Sequence, residues 1–173
     1  MLIERPKGSY APLMRILAID TALPAVSACV LDHDAEQPIA SETIAMERGH
    51  AEAIMPLIER VMSKVDGGFS TIDRVAVAVG PGSFTGIRIG LAAGQAIALA
   101  CKAEGVGVST LAALAAPLIL DAADSVIAAA IDARHGKVFV AAFSPDGRAL
   151  LTPRRAGAHE ALRAMGDGPL LLI

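Results

Sequence analysis

The sequence predicts an α/β protein built twice from one unit, with a complete first lobe and a truncated second. The duplication rests on a repeated pattern: a buried strand ending in aspartate, Ile16-Leu-Ala-Ile-Asp20, recurs as Val126-Ile-Ala-Ala-Ala-Ile-Asp132, and each is followed by a turn and a returning strand. The α/β class rests on the segment between the copies. There an amphipathic helix leads into Val75-Ala-Val-Ala-Val79, continuously apolar as a strand covered on both faces should be, and then into a second helix. The truncation is read from the end of the chain at Ile173, before any second equivalent of residues 75–103. The expected divisions are an extension over 1–13, a first lobe over 14–115 and a partial second lobe over 116–173.

Taken in order, Arg15 to Asp20 reads as a short buried strand, Thr21 to Pro24 as a turn and Ala25 to Leu31 as the returning strand. Ile39 to Met46 is a weakly patterned third strand. His50 to Val65 is the clearest helix: Ile54, Leu57, Ile58, Val61, Met62 and Val65 recur at helical spacing, with Glu52, Glu59, Arg60 and Lys64 on the other side. Val106 to Ser109 is a further strand and Thr110 to Leu120 an alanine-rich helix. Lys137 to Phe143 returns antiparallel to the second aspartate strand, Ser144-Pro-Asp-Gly147 turns, and Ala149 to Thr152 starts another strand.

Composition narrows the function. The chain has 173 residues, 54% of them apolar and 19% charged, enough for a sizeable core. A net charge of -3 with 3% aromatic residues and no Trp argues against direct, strong RNA binding by this chain alone. Cys29 and Cys101 lack CxxC spacing and read as reduced thiols of a cytoplasmic protein. No membrane span is expected, because Arg88, Gln95, Lys102 and Glu104 interrupt the most apolar window. Residues 1–13 contain no apolar run of the signal-peptide kind, and Met14 is a candidate start.

The Gly80-Pro-Gly-Ser-Phe-Thr-Gly86 loop carries the sharpest motif. It lacks the Lys-Ser or Lys-Thr pair of a phosphate-binding P-loop, and Thr85 stands where a dinucleotide fingerprint would want glycine. It reads as a turn plus a helix cap, with Ser83 or Thr85 accepting from first-turn amides. Gly86, Gly90 and Gly94 then repeat every fourth residue, so one helix face carries almost no side-chain volume. That face can pack closely on its own sheet or be reserved for a partner, with Arg88 seeking a carboxylate opposite.

Candidate chemistry elsewhere is sparse. Asp20 beside Thr21 could position a metal-bound phosphate, but the following Ala-Leu-Pro is poor for presenting backbone amides. His33, His50, His135 and His159 are too scattered for a metal site, and Asp132 with Arg134 reads as a turn ion pair.

Met14-Arg-Ile-Leu-Ala-Ile-Asp-Thr-Ala22, Gly80-Pro-Gly-Ser-Phe-Thr-Gly-Ile-Arg-Ile-Gly90, Gly107-Val-Ser-Thr110 and Ile131-Asp-Ala-Arg134 closely resemble the TsaB (YeaZ) family of bacterial proteins required for threonylcarbamoyladenosine in tRNA. The resemblance implies the duplicated ribonuclease H-like fold of actin, sugar kinases and Hsp70. It implies a non-catalytic partner of the paralogue TsaD, working with the ATPase TsaE, with ATP and metal held by those subunits and none by this chain. It also implies an indirect relation to tRNA and a homodimer when the partner is absent. Carried onto this sequence, the partner interface comprises Ile54, Leu57, Ile58, Val61, Gly86, Arg88, Gly90 and Gly94, and Asp20 and Thr21 mark a vestigial nucleotide site. The alternative is an independent ATP-dependent phosphotransferase or glycoprotease-like peptidase of the same fold.

Overall fold

Two sheets of matching topology organise the chain. A computed structural model describes residues 14–121, 125–165 and 169–173, and the expected extension over 1–13 lies outside the described residues. The first sheet holds β1 (Arg15–Asp20), β2 (Ala25–Asp32), β3 (Ala40–Ala45), β4 (Arg74–Gly80) and β5 (Glu104–Ser109) in the order β3-β2-β1-β4-β5. The second holds β6 (Val126–Asp132), β7 (Lys137–Phe143), β8 (Ala149–Gly157) and β9 (Leu170–Leu172) in the order β8-β7-β6-β9.

The repeat extends to strand direction. β1 runs antiparallel to β2 and parallel to β4, and β6 runs antiparallel to β7 and parallel to β9. The two aspartate strands are therefore the same strand of a unit used twice, as the repeated pattern predicts, and the architecture is the duplicated ribonuclease H-like one that the family resemblance implies.

Helices α1 (His50–Met62) and α2 (Phe84–Cys101) pack on one face of the first sheet. Strand alternation aims Leu17, Ile19, Val26, Val30, Val75 and Val77 at them, and α1 answers with Ile54, Leu57, Ile58 and Val61. Those four helix side chains are 0–3% exposed. Burying each contributes about 1.5–3 kcal/mol. They are the floor of the first core, so the expectation that they form a partner interface is corrected: an amphipathic stripe of this width is needed to close the lobe itself.

Helix α3 (Thr110–Asp121) lies on the second sheet, where Leu111 and Ala115 join Ile127, Ala129, Ala141 and Phe143 in a separate core. The expected lobe boundary at 115/116 therefore cuts through a helix whose buried residues belong to the second core. Helix α4 (Ala158–Ala164) covers Val140 and Ala156 on the far face.

By length and composition α2 does qualify as a membrane span, contrary to the sequence expectation. Its polar interruptions are too few to disqualify it, and its packing along β4 instead makes it a layer of the first lobe.

Candidate functional site

The carboxyl ends of β1 and β4, where a parallel sheet of this kind offers its ligand crevice, are closed by side chains and backbone of the chain itself. Thr21, 1% exposed, donates its hydroxyl to the carbonyl oxygen of Gly86 at 2.7 Å. Ser83 donates its backbone N–H to the carbonyl oxygen of Ala22 at 2.7 Å, and its Oγ caps α2 by accepting from Gly86 N–H at 3.2 Å. The turn after β1 and the loop before α2 are thus tied together twice.

The glycines of the loop and helix exist to permit that approach. A Cβ at Gly82 would sit 2.3 Å from the Ala22 carbonyl oxygen, and one at Gly86 would sit 2.0 Å from that of Thr21. At Gly90 it would meet Thr21 Oγ1 at 2.5 Å, and at Gly94 Val77 Cγ2 at 2.3 Å. The bare face of α2 is turned onto β1 and β4 of its own sheet. This corrects the assignment of Gly86, Gly90 and Gly94 to a partner interface: both readings of the stripe predict close approach, and only tertiary packing chooses its object.

The turn that would cradle a phosphate is internally satisfied. Asp20 Oδ1 accepts from Ala22 N–H at 2.7 Å, and Ala25 N–H donates to the Leu23 carbonyl at 2.6 Å. Thr21 is buried beneath α2, so it is not an accessible part of a vestigial nucleotide site. The Asp20 carboxylate is half-buried and engaged by its own turn. Asp132 repeats the arrangement, accepting from Arg134 N–H at 2.8 Å. The expected Asp132–Arg134 pairing is therefore made through the backbone amide and not the guanidinium, as an Asx turn requires.

Between the lobes lies a cleft of about 460 Å³, bordered by Leu23, Glu47, His50, Ser83, Asp132 and Arg134. His50, at the start of α1, hydrogen-bonds through Nε2 to the Leu23 carbonyl at 3.2 Å, holding the β1 turn from its other side. Among the described residues, no three or more His, Cys, Asp or Glu side chains converge as metal ligands.

What α2 offers outward is different. Phe84 is 74% exposed with the Arg88 guanidinium 5.3 Å from its ring centroid, and Leu99 is 82% exposed. Leu99 also borders an apolar groove of about 620 Å³ between α2 and β5, lined by Val79, Leu91, Gln95 and Gly107. Arg88 is the one residue of the expected interface that stands on this outer surface. Phe84 and Leu99 escaped sequence reasoning because helical periodicity alone does not show which of several apolar positions the sheet leaves uncovered.

Comparison with known proteins agrees with this architecture. The family model for TsaD, tRNA N6-adenosine threonylcarbamoyltransferase, matches residues 40–162. The tRNA threonylcarbamoyladenosine biosynthesis protein TsaB of Escherichia coli is 35% identical over 133 residues, covering 77% of this chain and 56% of that protein. TsaB of Bacillus subtilis is 32% identical over 126 residues, covering 73% and 53% respectively. The chain thus spans little more than half the length of these curated relatives. YeaZ from Pseudomonas aeruginosa shares the fold, with a TM-score of 0.73 at 24% identity over 93% of this chain and 84% of that one. By sequence and fold together, the chain belongs to the TsaB (YeaZ) branch of the TsaD family.

Proposed function

We propose that this chain is a non-catalytic accessory subunit in the formation of threonylcarbamoyladenosine in tRNA, and that it acts in the cytoplasm by docking onto the TsaD paralogue. The names of its relatives supply the pathway. The observation that carries the accessory role is the contrast between the two faces of α2. The inner face is held onto Thr21 and the first sheet, and the outer face exposes Phe84 and Leu99 to solvent.

Large apolar side chains exposed on one helix, beside an apolar groove, fit a helix-in-groove contact with another chain. The docking surface is then the outer side of α2, with Phe84, Arg88 and Leu99 as its anchors. ATP and metal belong to the partner subunits, TsaD and the ATPase TsaE, and without them the same outer surface pairs two copies of this chain.

The test is a mixing titration with the TsaD paralogue, followed by mass in solution. Stable co-assembly that Phe84→Glu or Leu99→Glu abolishes supports the reading. Absence of co-assembly, or nucleotide turnover by the isolated chain that Asp20→Ala removes, defeats it in favour of an independent phosphotransferase.

A further inference from the structure

Charge is divided unevenly between the two lobes. Residues 14–109 carry seven Lys/Arg and eleven Asp/Glu, whereas residues 126–173 carry six and four. The ion pairs are divided too. Arg15–Asp32, Arg60–Glu42 and Arg74–Glu104 all lie in the first lobe, and among the described residues no Lys or Arg of the second lobe is paired with a carboxylate. Two second-lobe acids are engaged by their own turns: Asp132 by Arg134 N–H, and Asp146 by the Ser144 hydroxyl.

Three of the unpaired cations share one surface. Arg155, opposite Phe139 on the edge strand β8, donates Nη2 to the Ala133 carbonyl at 3.2 Å, which seats it beside Arg134. The β6–β7 turn closes with Lys137 N–H donating to the Arg134 carbonyl at 3.2 Å, so Lys137 flanks the same point. Arg154, the next residue along β8 and opposite Val140, points to the other face of the sheet, where α4 lies, and is not part of this surface. The side chains of Arg134, Lys137 and Arg155 are exposed. The left-handed φ of Arg134 and His135, +59° and +56°, turns the chain sharply between the strands and holds it out at the mouth of the interlobe cleft.

We infer that the strip formed by Arg134, Lys137 and Arg155 contacts the phosphodiester backbone of RNA. The choice of RNA among polyanions rests on the proposed function. The contact is electrostatic and not sequence-reading, because no exposed aromatic side chain lies in the strip to stack a base. It refines the expectation drawn from net charge: an overall -3 conceals a basic lobe.

The experiment titrates the full chain into a labelled, unmodified tRNA transcript and follows anisotropy across a series of KCl concentrations. Binding of roughly 10⁻⁴ to 10⁻⁶ M is expected near physiological salt, the range of non-specific phosphate contacts. Lys137→Glu/Arg155→Glu should weaken it about tenfold and reduce the log–log salt slope by about 2, one unit per lost contact. Lys64→Glu, an exposed first-lobe change, should leave it unaltered. Lys137→Gln/Arg155→Gln serves should the charge reversal fail to fold. The inference is overturned by absence of tRNA binding in that range, by equal binding of the strip variants, by equal weakening in Lys64→Glu, or by preference for phosphatidylglycerol vesicles over tRNA. Co-assembly with the TsaD paralogue is measured on the same samples. Its failure in the parent chain removes the accessory reading, while the salt titration judges the strip separately.

Discussion

The hydroxyl of Thr21 and the carbonyl of Gly86, 65 residues apart in sequence, meet at 2.7 Å in the interior of the first lobe. This bond joins the end of β1 to the first turn of α2. Thr21→Val keeps the shape and removes the donor. It should cost about 1–2 kcal/mol, the usual range for a buried hydrogen bond broken on one side, read as a lower urea midpoint at unchanged slope. Thr21→Ser, retaining the hydroxyl, should recover part of the loss.

Alanine for glycine normally stabilises an exposed helix by about 1 kcal/mol. In α2 the sign should reverse. Gly86→Ala places its Cβ 2.0 Å from a backbone oxygen that cannot swing aside, whereas at Gly94 the obstacle is a methyl of Val77 at 2.3 Å. Destabilisation of about 1–3 kcal/mol or more is expected, larger at Gly86 than at Gly94, by denaturant unfolding. A neutral Gly86→Ala would overturn the close approach of β1 to α2.

The outer face of α2 should show the opposite behaviour. Phe84→Ala removes a side chain that is 74% exposed, so stability should change by no more than about 1 kcal/mol, including the loss of its stacking with Arg88. Affinity for the TsaD paralogue, measured by calorimetry, should nevertheless fall at least tenfold if Phe84 is an anchor of the docking surface. A fall in melting temperature matching the fall in affinity would instead make Phe84 a structural residue.

The Arg15–Asp32 pair should give the first sheet a signature in acid. The hydrogen bond from Arg15 Nε, 2.8 Å to Asp32 Oδ1, holds the Asp32 carboxyl below its ordinary value; burial opposes this and the Arg15 charge adds to it. A carboxylate whose pKa is lower in the folded state stabilises the fold above its unfolded pKa, and that contribution is lost as pH falls through the folded one. Asp32→Asn should therefore lower stability at pH 7 by up to about 1 kcal/mol, and the gap from the parent should close below about pH 4. Urea unfolding at pH 7 and pH 3 provides the comparison; a gap independent of pH would assign the loss to packing.

Local patterning was enough to place most elements. The period-two burial of β1 and β2, the helical period of α1 and the Ser83 cap are written in neighbouring residues, so their positions were legible within a few residues. The elements missed were those whose stability comes from a neighbour. Thr152 to Gly157 contains Pro153 and two arginines and extends β8 only because β7 pairs with it, and α4 and β9 are seven and three residues long.

The sequence by itself determined the duplication, the close approach demanded by Gly86, Gly90 and Gly94, and the family. Tertiary structure alone decided what the glycine face approaches. A missing Cβ shortens the distance to whatever lies opposite and carries no information on its identity, and in the fold β1 with its Thr21 occupies that position. It also decided that the stripe of α1 is core and that the outer side of α2 is surface, because burial depends on the sum of elements packed around a residue and not on its own spacing. The basic strip arose in the same way: Arg134, Lys137 and Arg155 are unremarkable in a chain of net charge -3 until the β6–β7 turn and β-sheet register set them side by side.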